Sequence, residues 1–364
     1  LSDAAKVCGI SDDGWKLGNE KIRFITDEFL TRQEKLLSKI GHQVVGGLSE
    51  TESGAPSAAF KKASALHAAP IGGIGFVRIG EDGRCYLAAK SEHYHASLGH
   101  GFPGFELLSL AARMGVSNAT HNNSRGHITR LLEKRLIEIA NGPRAGDEQP
   151  RPLERVINIQ TGSLAVEAGV KIMLSRFYRQ DSGVPQPPYS GRIPVFLVVG
   201  DFNGGKTANY HGTTTLTQGF RDLWPDFNDK LRLGEVYETI PVKINDFADF
   251  AQKVEKYDTG KYKIAGFLHE ILLMNYGEIL LDESYLQKAY ALCHSRDIPI
   301  LVDEVQTGVW VPDYFMYHRY NLKPDMVTLG KGFSGGRFSA SKIIITAPMD
   351  TLGLFGALVT NGQE

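Results

Sequence analysis

Short apolar runs that end in polar residues and glycine recur along the second half of the chain. Residues 298–306 read Ile-Pro-Ile-Leu-Val-Asp-Glu-Val-Gln, and residues 325–332 read Asp-Met-Val-Thr-Leu-Gly-Lys-Gly. A continuous apolar stretch of this length is typical of a strand that is buried on both faces of a parallel sheet. The pattern predicts two such strands, with Asp303 at the end of the first and Lys331 just beyond the second.

Strand-like and helix-like segments alternate through the part of the chain that contains these runs. Apolar strands are predicted at residues 155–159, 195–199 and 264–268, and helices at residues 163–179 and 284–295. Alternation of this kind predicts an α/β fold with a mostly parallel sheet and helices on both faces.

Changes in the pattern divide the chain into four predicted segments. Residues 1–70 form an N-terminal helical extension, and residues 71–150 contribute to a small domain and to the functional site. Residues 151–350 form the large domain, and residues 351–364 begin a C-terminal region. A chain of 364 residues exceeds what one hydrophobic core usually organises, which agrees with a large and a smaller domain.

Composition and charge narrow the class of partner. The formal net charge is −1 and 22% of the residues are charged, so the chain has no general attraction to nucleic acid or to an anionic membrane. No apolar run approaches the length of a membrane span, and the N-terminus lacks a signal-peptide core. Cys8, Cys85 and Cys293 are scattered and show no CxxC spacing, which predicts reduced cysteines in a cytoplasmic protein with a small-molecule substrate.

A histidine-rich loop raises the question of a metal site. Residues 91–103 read Ser-Glu-His-Tyr-His-Ala-Ser-Leu-Gly-His-Gly-Phe-Pro. No helical or strand spacing brings these histidines onto one face, so we predict no metal site.

Asp303 and Lys331 have the chemistry of a cofactor site. Ligands of an open α/β sheet bind beyond the carboxyl ends of the strands, where both side chains would project. A lysine and a carboxylate at that edge suit pyridoxal phosphate, which needs a lysine for its Schiff base and an acid that keeps its ring nitrogen protonated. An ordinary ion pair at the rim of an active site is the alternative, and these two residues alone leave both open.

One motif points to a different function. Residues 200–207, Gly-Asp-Phe-Asn-Gly-Gly-Lys-Thr, fit the nucleotide-binding pattern GxxxxGK[ST] and follow a predicted strand. Such a loop must open a helix whose amides face the phosphates. The glycine and three threonines at residues 212–215 are poor helix formers, so a P-loop ATPase is the least favoured alternative.

A second candidate phosphate site opens a more credible helix. Residues 160–169, Gln-Thr-Gly-Ser-Leu-Ala-Val-Glu-Ala-Gly, also follow a predicted strand. Thr161, Gly162 and Ser163 offer a hydroxyl and backbone amides to a phosphate, assisted by the helix macrodipole. Capping of the helix by Thr161 or Ser163 uses the same geometry, so this segment alone does not separate the two roles.

Together these motifs resemble the class III family of pyridoxal-phosphate aminotransferases, enzymes of fold type I that include ω-amino-acid transaminases. The resemblance runs from about Gly75 to the end of the chain. Its motifs, in family order, are Glu81–Tyr86, Gly99–Pro103, Thr161–Glu167, Tyr210–Gly212, Asp303–Gly308 and Gly330–Gly332. Several motifs in family order outweigh the single match to the P-loop pattern.

The resemblance implies a role for each matched residue. Lys331 would form the Schiff base with pyridoxal phosphate and shuttle the proton, and Asp303 would keep the pyridinium charged. Val305 and Tyr210 would pack on the two faces of the ring. Gln306 would hydrogen-bond the phenolic oxygen of the ring.

Other implied roles concern the phosphate and the assembly. Gly162 and Ser163 would bind the phosphate, and Glu270 would lie near the site. Thr360 would reach the phosphate of the neighbouring subunit, which implies a homodimer with shared active sites. The resemblance also implies fold type I, with a smaller domain from the N-terminal part and a C-terminal part of which the 364 residues hold only the beginning.

The implied function is transamination, in which an amino group moves from an amine or ω-amino acid to a keto acid or aldehyde. An aminomutase or racemase on the same cofactor is an alternative, and so is a protein that binds pyridoxal phosphate without turnover. Gln306 favours transamination, since family members that move an amino group within one molecule often differ there. Thr213 occupies the position where many ornithine and γ-aminobutyrate enzymes have an arginine for the substrate carboxylate, so the resemblance does not name the donor.

Overall fold

A computed structural model of the protein describes residues 6–9, 19–88, 96–116, 121, 124–142 and 151–363. The chain divides into two compact units. The smaller contains Leu1–Ala119 with Gly335–Arg337, and the larger contains Thr120–Ser334 with Phe338–Glu364. Of the predicted histidine-rich loop, residues 91–95 lie outside the described part of the chain. The predicted domain bounds stay a prediction.

The smaller unit combines helices with a three-stranded antiparallel sheet. Its helices are α1 (Asp27–Leu37), α2 (Ala58–Ala63) and α3 (Glu106–Arg113), and its strands are β1 (Pro70–Ile74), β2 (Val77–Gly80) and β3 (Cys85–Leu87). Thr26 caps α1 by accepting a hydrogen bond from the Phe29 amide at 3.2 Å. The β2–β3 turn passes through Gly83 at φ +78°, where a Cβ would overlap the Val45 carbonyl, so only glycine fits.

The larger unit is built on a seven-stranded sheet. In chain order its strands are β4 (Leu153–Ile159), β5 (Ile193–Val199), β6 (Glu238–Val242), β7 (Tyr262–His269), β10 (Ile300–Asp303), β11 (Met326–Leu329) and β12 (Ser341–Thr346), with a separate hairpin of β8 (Leu272–Leu273) and β9 (Ile279–Leu280). The helices are α4 (His127–Asn141), α5 (Gly162–Leu174), α6 (Thr215–Gly219), α7 (Pro225–Leu233), α8 (Phe247–Tyr257) and α9 (Glu283–Ser295).

The order of strands in the sheet is β4-β12-β11-β10-β7-β5-β6. Parallel pairs join β11 to β10, β10 to β7, β7 to β5 and β5 to β6. Strand β12 pairs antiparallel with both β11 and β4, so it alone runs against the other strands of the sheet. The predicted α/β architecture with a mostly parallel sheet is confirmed, and β12 is a strand that the apolar pattern did not reveal.

Both faces of the sheet are buried, as strand β5 illustrates. Its residues Val195, Leu197 and Val199 join one core, whereas Phe196 and Val198 join the other. Successive side chains of a strand point to opposite faces, so a strand with a core on each side reads as a continuous apolar run. Helix α5 supplies the second core, and α4, α8 and α9 supply the first. Helices therefore cover both faces, as predicted.

The described structure also shows the state of the cysteines and the character of the helices. Cys8, Cys85 and Cys293 are free, and the last two are buried. Burial raises the pKa of the Cys85 and Cys293 thiols, which therefore behave as unreactive packing groups. Within the described part of the chain, no helix combines the length and the apolar character needed to cross a membrane.

Gly169 lets α5 pack closely on the sheet. A Cβ built there would overlap Leu301 Cδ1 and lie 3.2 Å from Ile343 Cδ1, and both side chains are fully buried. Alanine has a helix propensity better than glycine by about 1 kcal/mol. Overpacking a filled core costs about 1–3 kcal/mol, so the close contact opposes and outweighs the propensity.

We therefore expect Gly169→Ala to lower the free energy of unfolding, measured by urea denaturation. Shortening Leu301 to valine in the same chain should make the double substitution less harmful than the two single changes added together. A Gly169→Ala variant that is more stable than the wild type would show that α5 has room on the sheet.

Candidate active site

The carboxyl ends of β10 and β11 and the start of α5 surround one cavity in the larger unit. Its volume is about 160 Å³, and its lining consists of Gly162, Ser163, Val166, Tyr210, His211, Gly212, Asp303, Val305, Gln306 and Lys331. Seven of these are residues that the sequence analysis named as site candidates. The candidates Thr161, Glu270 and Thr360 lie outside this lining.

The carboxylate of Asp303 is buried and strongly hydrogen-bonded. His211 Nδ1 lies 2.9 Å from its Oδ2, while the Thr328 hydroxyl and the Val305 amide donate to its Oδ1 at 2.9 and 3.1 Å. Burial by itself would raise the pKa of Asp303, but the hydrogen bond and charge of His211, with the other donors, hold it below its usual value. Asp303 is therefore an ionised acid whose side chain is buried.

His211 and Thr328 are site residues that sequence reasoning missed. A carboxylate only accepts hydrogen bonds, so His211 Nδ1 must carry the proton that it shares with Asp303. The other ring nitrogen, Nε2, is buried and has no hydrogen-bond partner among the described residues. The motif Tyr210–Gly212 contained the signal for His211, because the histidine stands between two residues already assigned to the cofactor.

Lys331 enters the cavity from a strained backbone position. It begins a short 3₁₀ helix, Lys331–Ser334, with φ at +43°. A non-glycine residue holds such a conformation only where its surroundings enforce it. Its Nζ lies 5.9 Å from the centroid of the Tyr210 ring. Lysine and aromatic ring thus lie together beside the acid.

The start of α5 forms the end of the cavity suited to an anion. Thr161 is the N-cap residue, yet its side chain makes no capping hydrogen bond within the described structure. Ser163 Oγ instead accepts a hydrogen bond from the Thr213 amide at 3.0 Å. Capping by Thr161 is therefore not the role of this segment, and the amides of the first turn suit an anionic group.

Two glycines permit close packing around the start of α5. A Cβ on Gly162 would lie 2.6 Å from Val305 Cγ1, and a Cβ on Gly212 would lie 2.7 Å from Ser163 Cα. Gly212 also has φ at +122°, which favours glycine on backbone grounds. Val305 and the Tyr210–Gly212 loop can approach the helix start only because these positions lack side chains.

Gln306 is oriented by Glu270. Its Nε2 donates to Glu270 Oε1 at 2.6 Å, and both side chains are buried. Glu270 lies behind the lining of the cavity and acts on it through Gln306. Thr360 is exposed and does not contribute to the cavity of its own chain.

In the loop that matches the P-loop pattern, the backbone amides donate to a carboxylate of the loop itself. The carboxylate of Asp201 accepts hydrogen bonds from the amides of Asn203, Gly205 and Thr207, and from the Thr207 hydroxyl. These donors, the Thr207 hydroxyl foremost, hold the pKa of Asp201 below its usual value. Lys206 pairs with Asp222 at 2.6 Å. The amides and the lysine needed for phosphate are occupied, so the P-loop alternative is not supported.

Metal ligands do not gather in the described part of the chain, where no group of three or more histidine, cysteine, aspartate or glutamate side chains could hold an ion. Pyridoxal phosphate fits the donors that are present. An ionised acid, a lysine, an aromatic ring and the amides at the start of α5 match the needs of its ring nitrogen, carbonyl carbon, ring face and phosphate. The chemistry of these groups is thus compatible with pyridoxal phosphate.

Comparison with known proteins agrees with this class. Residues 64–356 match the family model described as Aminotransferase class-III. The match extends over more than half of the chain, which therefore belongs to the class III aminotransferase family. The cofactor of this family is pyridoxal phosphate, and the suspected family is confirmed.

Individual relatives agree with the family assignment. The ornithine aminotransferase of Emericella nidulans is 26% identical over 72% of this chain and 53% of its own length. The acetylornithine aminotransferase of Haemophilus ducreyi is 27% identical over 70% of this chain and 56% of its own length. This chain therefore spans about half the length of the curated relatives it matches.

A solved structure supports the fold. The ornithine aminotransferase of Toxoplasma gondii, solved with partial occupancy of pyridoxal phosphate at its active site, has a TM-score of 0.61. The aligned region covers 82% of this chain and 63% of that one, at 20% sequence identity. At this identity the likeness establishes the fold alone.

Glu304, next to Asp303, anchors the loop after β10. The Thr307 hydroxyl donates to its Oε2 at 2.6 Å, and the Tyr317 amide donates to its Oε1 at 2.8 Å. Glu304 is fully buried. Burial raises the pKa of Glu304 from 4.5 to about 7, although these hydrogen bonds oppose the shift.

The raised pKa makes the stability of the protein depend on pH. The folded state favours protonated Glu304, so its contribution is complete below pH 4.5 and is lost as pH rises through about 7. We expect the free energy of unfolding of Glu304→Gln, relative to wild type, to rise across this window by up to about 3 kcal/mol. Urea denaturation at several pH values measures the difference, with exposed Glu154→Gln as the control. Parallel curves for all three proteins would contradict the assignment.

Proposed function

We propose that this protein is a pyridoxal-phosphate-dependent aminotransferase that moves an amino group from an amine or ω-amino acid to a keto acid or aldehyde. One observation carries the proposal. A buried, ionised Asp303 and the amine of Lys331 share a cavity that also contains the first turn of α5. Family membership over residues 64–356 supports the same chemistry.

Asp303 and Lys331 each have a proposed chemical role that agrees with the side chains around them. Pyridoxal phosphate, when bound, holds the amino group of the substrate and stores the electrons released at the reacting carbon. Asp303 holds the proton on the ring nitrogen, and His211 and Thr328 keep its carboxylate ionised and oriented. Lys331 Nζ accepts a proton and returns it at the neighbouring carbon, which requires an amine that is free to change its protonation state.

The remaining lining residues bind and orient. The amides of Gly162 and Ser163 bind the phosphate, and the Val305 and Tyr210 side chains flank the ring. Gln306, which Glu270 orients, hydrogen-bonds the phenolic oxygen with its remaining amide atoms.

The proposal includes a homodimer in which Thr360 reaches the site of the partner. Thr360 is exposed, and hydrogen bonds from Thr129, Asn158 and Lys342 hold the segment that follows it. The Thr129 hydroxyl donates to the Gln363 carbonyl at 2.7 Å, and Lys342 Nζ donates to the Gly362 carbonyl at 3.3 Å. A fixed, exposed threonine supports a role across a subunit interface.

Two further parts of the proposal concern organisation and location. The lining of the cavity falls between Gly162 and Lys331, which supports residues 151–350 as the large cofactor-binding domain. A cytoplasmic location is proposed from the three free cysteines, two of them buried.

Trapping the cofactor tests the assignment of Lys331. Purified protein with added pyridoxal phosphate should show a visible absorption band, and borohydride should remove the band by fixing the cofactor to the Lys331 peptide. Lys331→Ala should prevent fixation and lower transamination by at least about 10³-fold, since it removes both the attachment point and the proton carrier.

Lys206→Ala is the matched control, because Lys206 is the lysine of the rejected motif and should be dispensable for fixation. Product formation should require an added keto acid; turnover without one would favour an aminomutase or racemase. A protein that stays colourless with the cofactor, or a fully active Lys331→Ala variant, would sink the proposal.

Gly162→Ala tests whether Gly162 lines the proposed pyridoxal-phosphate site. The added methyl group would push Val305 toward the space assigned to the ring, so we expect the Kd for pyridoxal phosphate to rise by about 10-fold or more. Fluorescence titration of the cofactor-free protein measures this affinity. Leu164→Ala, at an exposed position of the same helical turn, should leave it unchanged. Equal affinity of both variants for pyridoxal phosphate would show that Gly162 does not contribute to the site.

A further inference from the structure

Lys342 is a buried lysine that lies outside the lining of the cavity. It belongs to β12, where it pairs with Asn158 of β4, and it is 1% exposed. Burial lowers the pKa of Lys342 to about 8, and the charge of Glu133 opposes this shift. The side chain therefore carries a positive charge at neutral pH, and its Nζ donates to the Gly362 carbonyl at 3.3 Å.

An apolar side chain would suit the position of Lys342 better than an ammonium. The next three residues of β12, Ile343, Ile344 and Ile345, are fully buried. Burial of an ammonium is costly, and replacing a buried charged group by an apolar one of similar volume is often neutral or stabilising. A lysine here therefore indicates a contact that an apolar side chain could not make.

Lys342 is part of a buried polar cluster that joins α4, β4 and β12. The other members of the polar cluster are Thr129 and Glu133 of α4 and Asn158 of β4. Glu133 Oε1 accepts hydrogen bonds from Arg125 Nε at 3.1 Å and from Asn158 Nδ2 at 2.6 Å. The carboxylate of Glu133 thus has partners that do not depend on the lysine.

The polar cluster contacts an exposed turn, Val359–Gly362. The Gly362 amide donates to the Val359 carbonyl at 3.1 Å, so Thr360 and Asn361 are the central residues of the turn, and both are exposed. Gly362 is buried, and a Cβ there would overlap the Asn158 carbonyl. The turn therefore rests directly on β4 at one end.

Three side chains of the polar cluster hold that end of the turn. Lys342 bonds the Gly362 carbonyl, and the Thr129 hydroxyl donates to the Gln363 carbonyl at 2.7 Å. Asn158 Nδ2 donates to Gln363 Oε1 at 3.3 Å. Of these three donors only Lys342 is charged, and a hydrogen bond from a charged donor is the strongest kind in a buried place.

We propose that Lys342 is a positioning residue, which fixes the turn Val359–Gly362 and so sets the place of Thr360 on the larger unit. In the homodimer proposed above, Lys342 then acts through Thr360 on phosphate binding by the partner subunit. That second consequence rests on the proposed function, whereas the fixing of the turn does not.

Amide hydrogen exchange of the cofactor-free protein tests the fixing of the turn. In Lys342→Met we expect a peptide that covers residues 357–363 to exchange ~10-fold faster or more than in wild type, while peptides of β5 and β7 keep their rates. Methionine has a similar length without the charge, and Glu133 keeps its bonds to Arg125 and Asn158.

Two further variants calibrate the exchange measurement. Lys171→Met is the matched control, since the exposed Lys171 also donates to a carbonyl of the same segment, that of Gly356 at 3.1 Å, and it should match wild type. Gly362→Ala is the positive control, because its Cβ displaces the turn from β4 without changing any charge.

Affinity for pyridoxal phosphate tests the consequence for the site. Thr360→Ala and Lys342→Met should each raise the Kd by about 3-fold or more, measured by fluorescence titration. The double substitution should raise the Kd no further than the larger single effect, because both changes act through one side chain. A lysine that acts independently of Thr360 would give additive effects.

The two measurements fail in different ways. A wild-type protein that does not bind pyridoxal phosphate sinks the proposed function, and hydrogen exchange still decides whether Lys342 fixes the turn. Unchanged exchange of residues 357–363 in Lys342→Met overturns the inference. Exchange that rises equally in β5 and β7, a variant that fails to fold, or additive effects on the Kd overturn it as well, since each gives the lysine a general structural role.

Discussion

Asp303 lies opposite Thr328 in the parallel pair of β10 and β11, and Lys331 follows three residues after Thr328. This pairing brings an acid and an amine to the same edge of the sheet, where both line one cavity. Strand β10 is central in the sheet, so its last residue is buried, and an unassisted carboxylate there would be neutral. His211 and the Thr328 hydroxyl prevent this. The register of two strands thus fixes both the position and the charge of the acid.

The sequence revealed the strands whose burial is complete and uninterrupted. A strand with a core on each face reads as a continuous apolar run, which is easy to recognise. The predicted strands within β5, β7, β10 and β11 are therefore observed. Strand β12 was not predicted because Lys342 interrupts its apolar pattern near the start. Lys342 is nevertheless buried, and burial lowers its pKa to about 8. Sequence patterns assume that lysine is exposed, and only tertiary structure shows that its ammonium reaches the Gly362 carbonyl.

The residues that the sequence singled out and the cavity brings together each belong to a motif of their own, whereas the residues that were missed act through distant contacts. Asp303 and Lys331 were identifiable because strand ends and the chemistry of the cofactor select them. His211 is 92 positions from Asp303, and Thr328 is 25 positions away, so no local spacing joins them to the acid. Rejection of the P-loop motif rested on poor helix formers after Thr207, and the structure adds the direct cause. The Asp201 carboxylate already fills the turn of amides that a phosphate would need.

Two glycines of the candidate site belong to the part that local sequence reveals. At Gly162 and Gly212, which line the candidate cavity, any side chain would collide with the structure around it. These constraints are local, so they leave recognisable motifs in the sequence. The lysine of the misleading motif, by contrast, pairs with Asp222, which lies outside residues 200–207, so no local pattern could show that this lysine is already engaged.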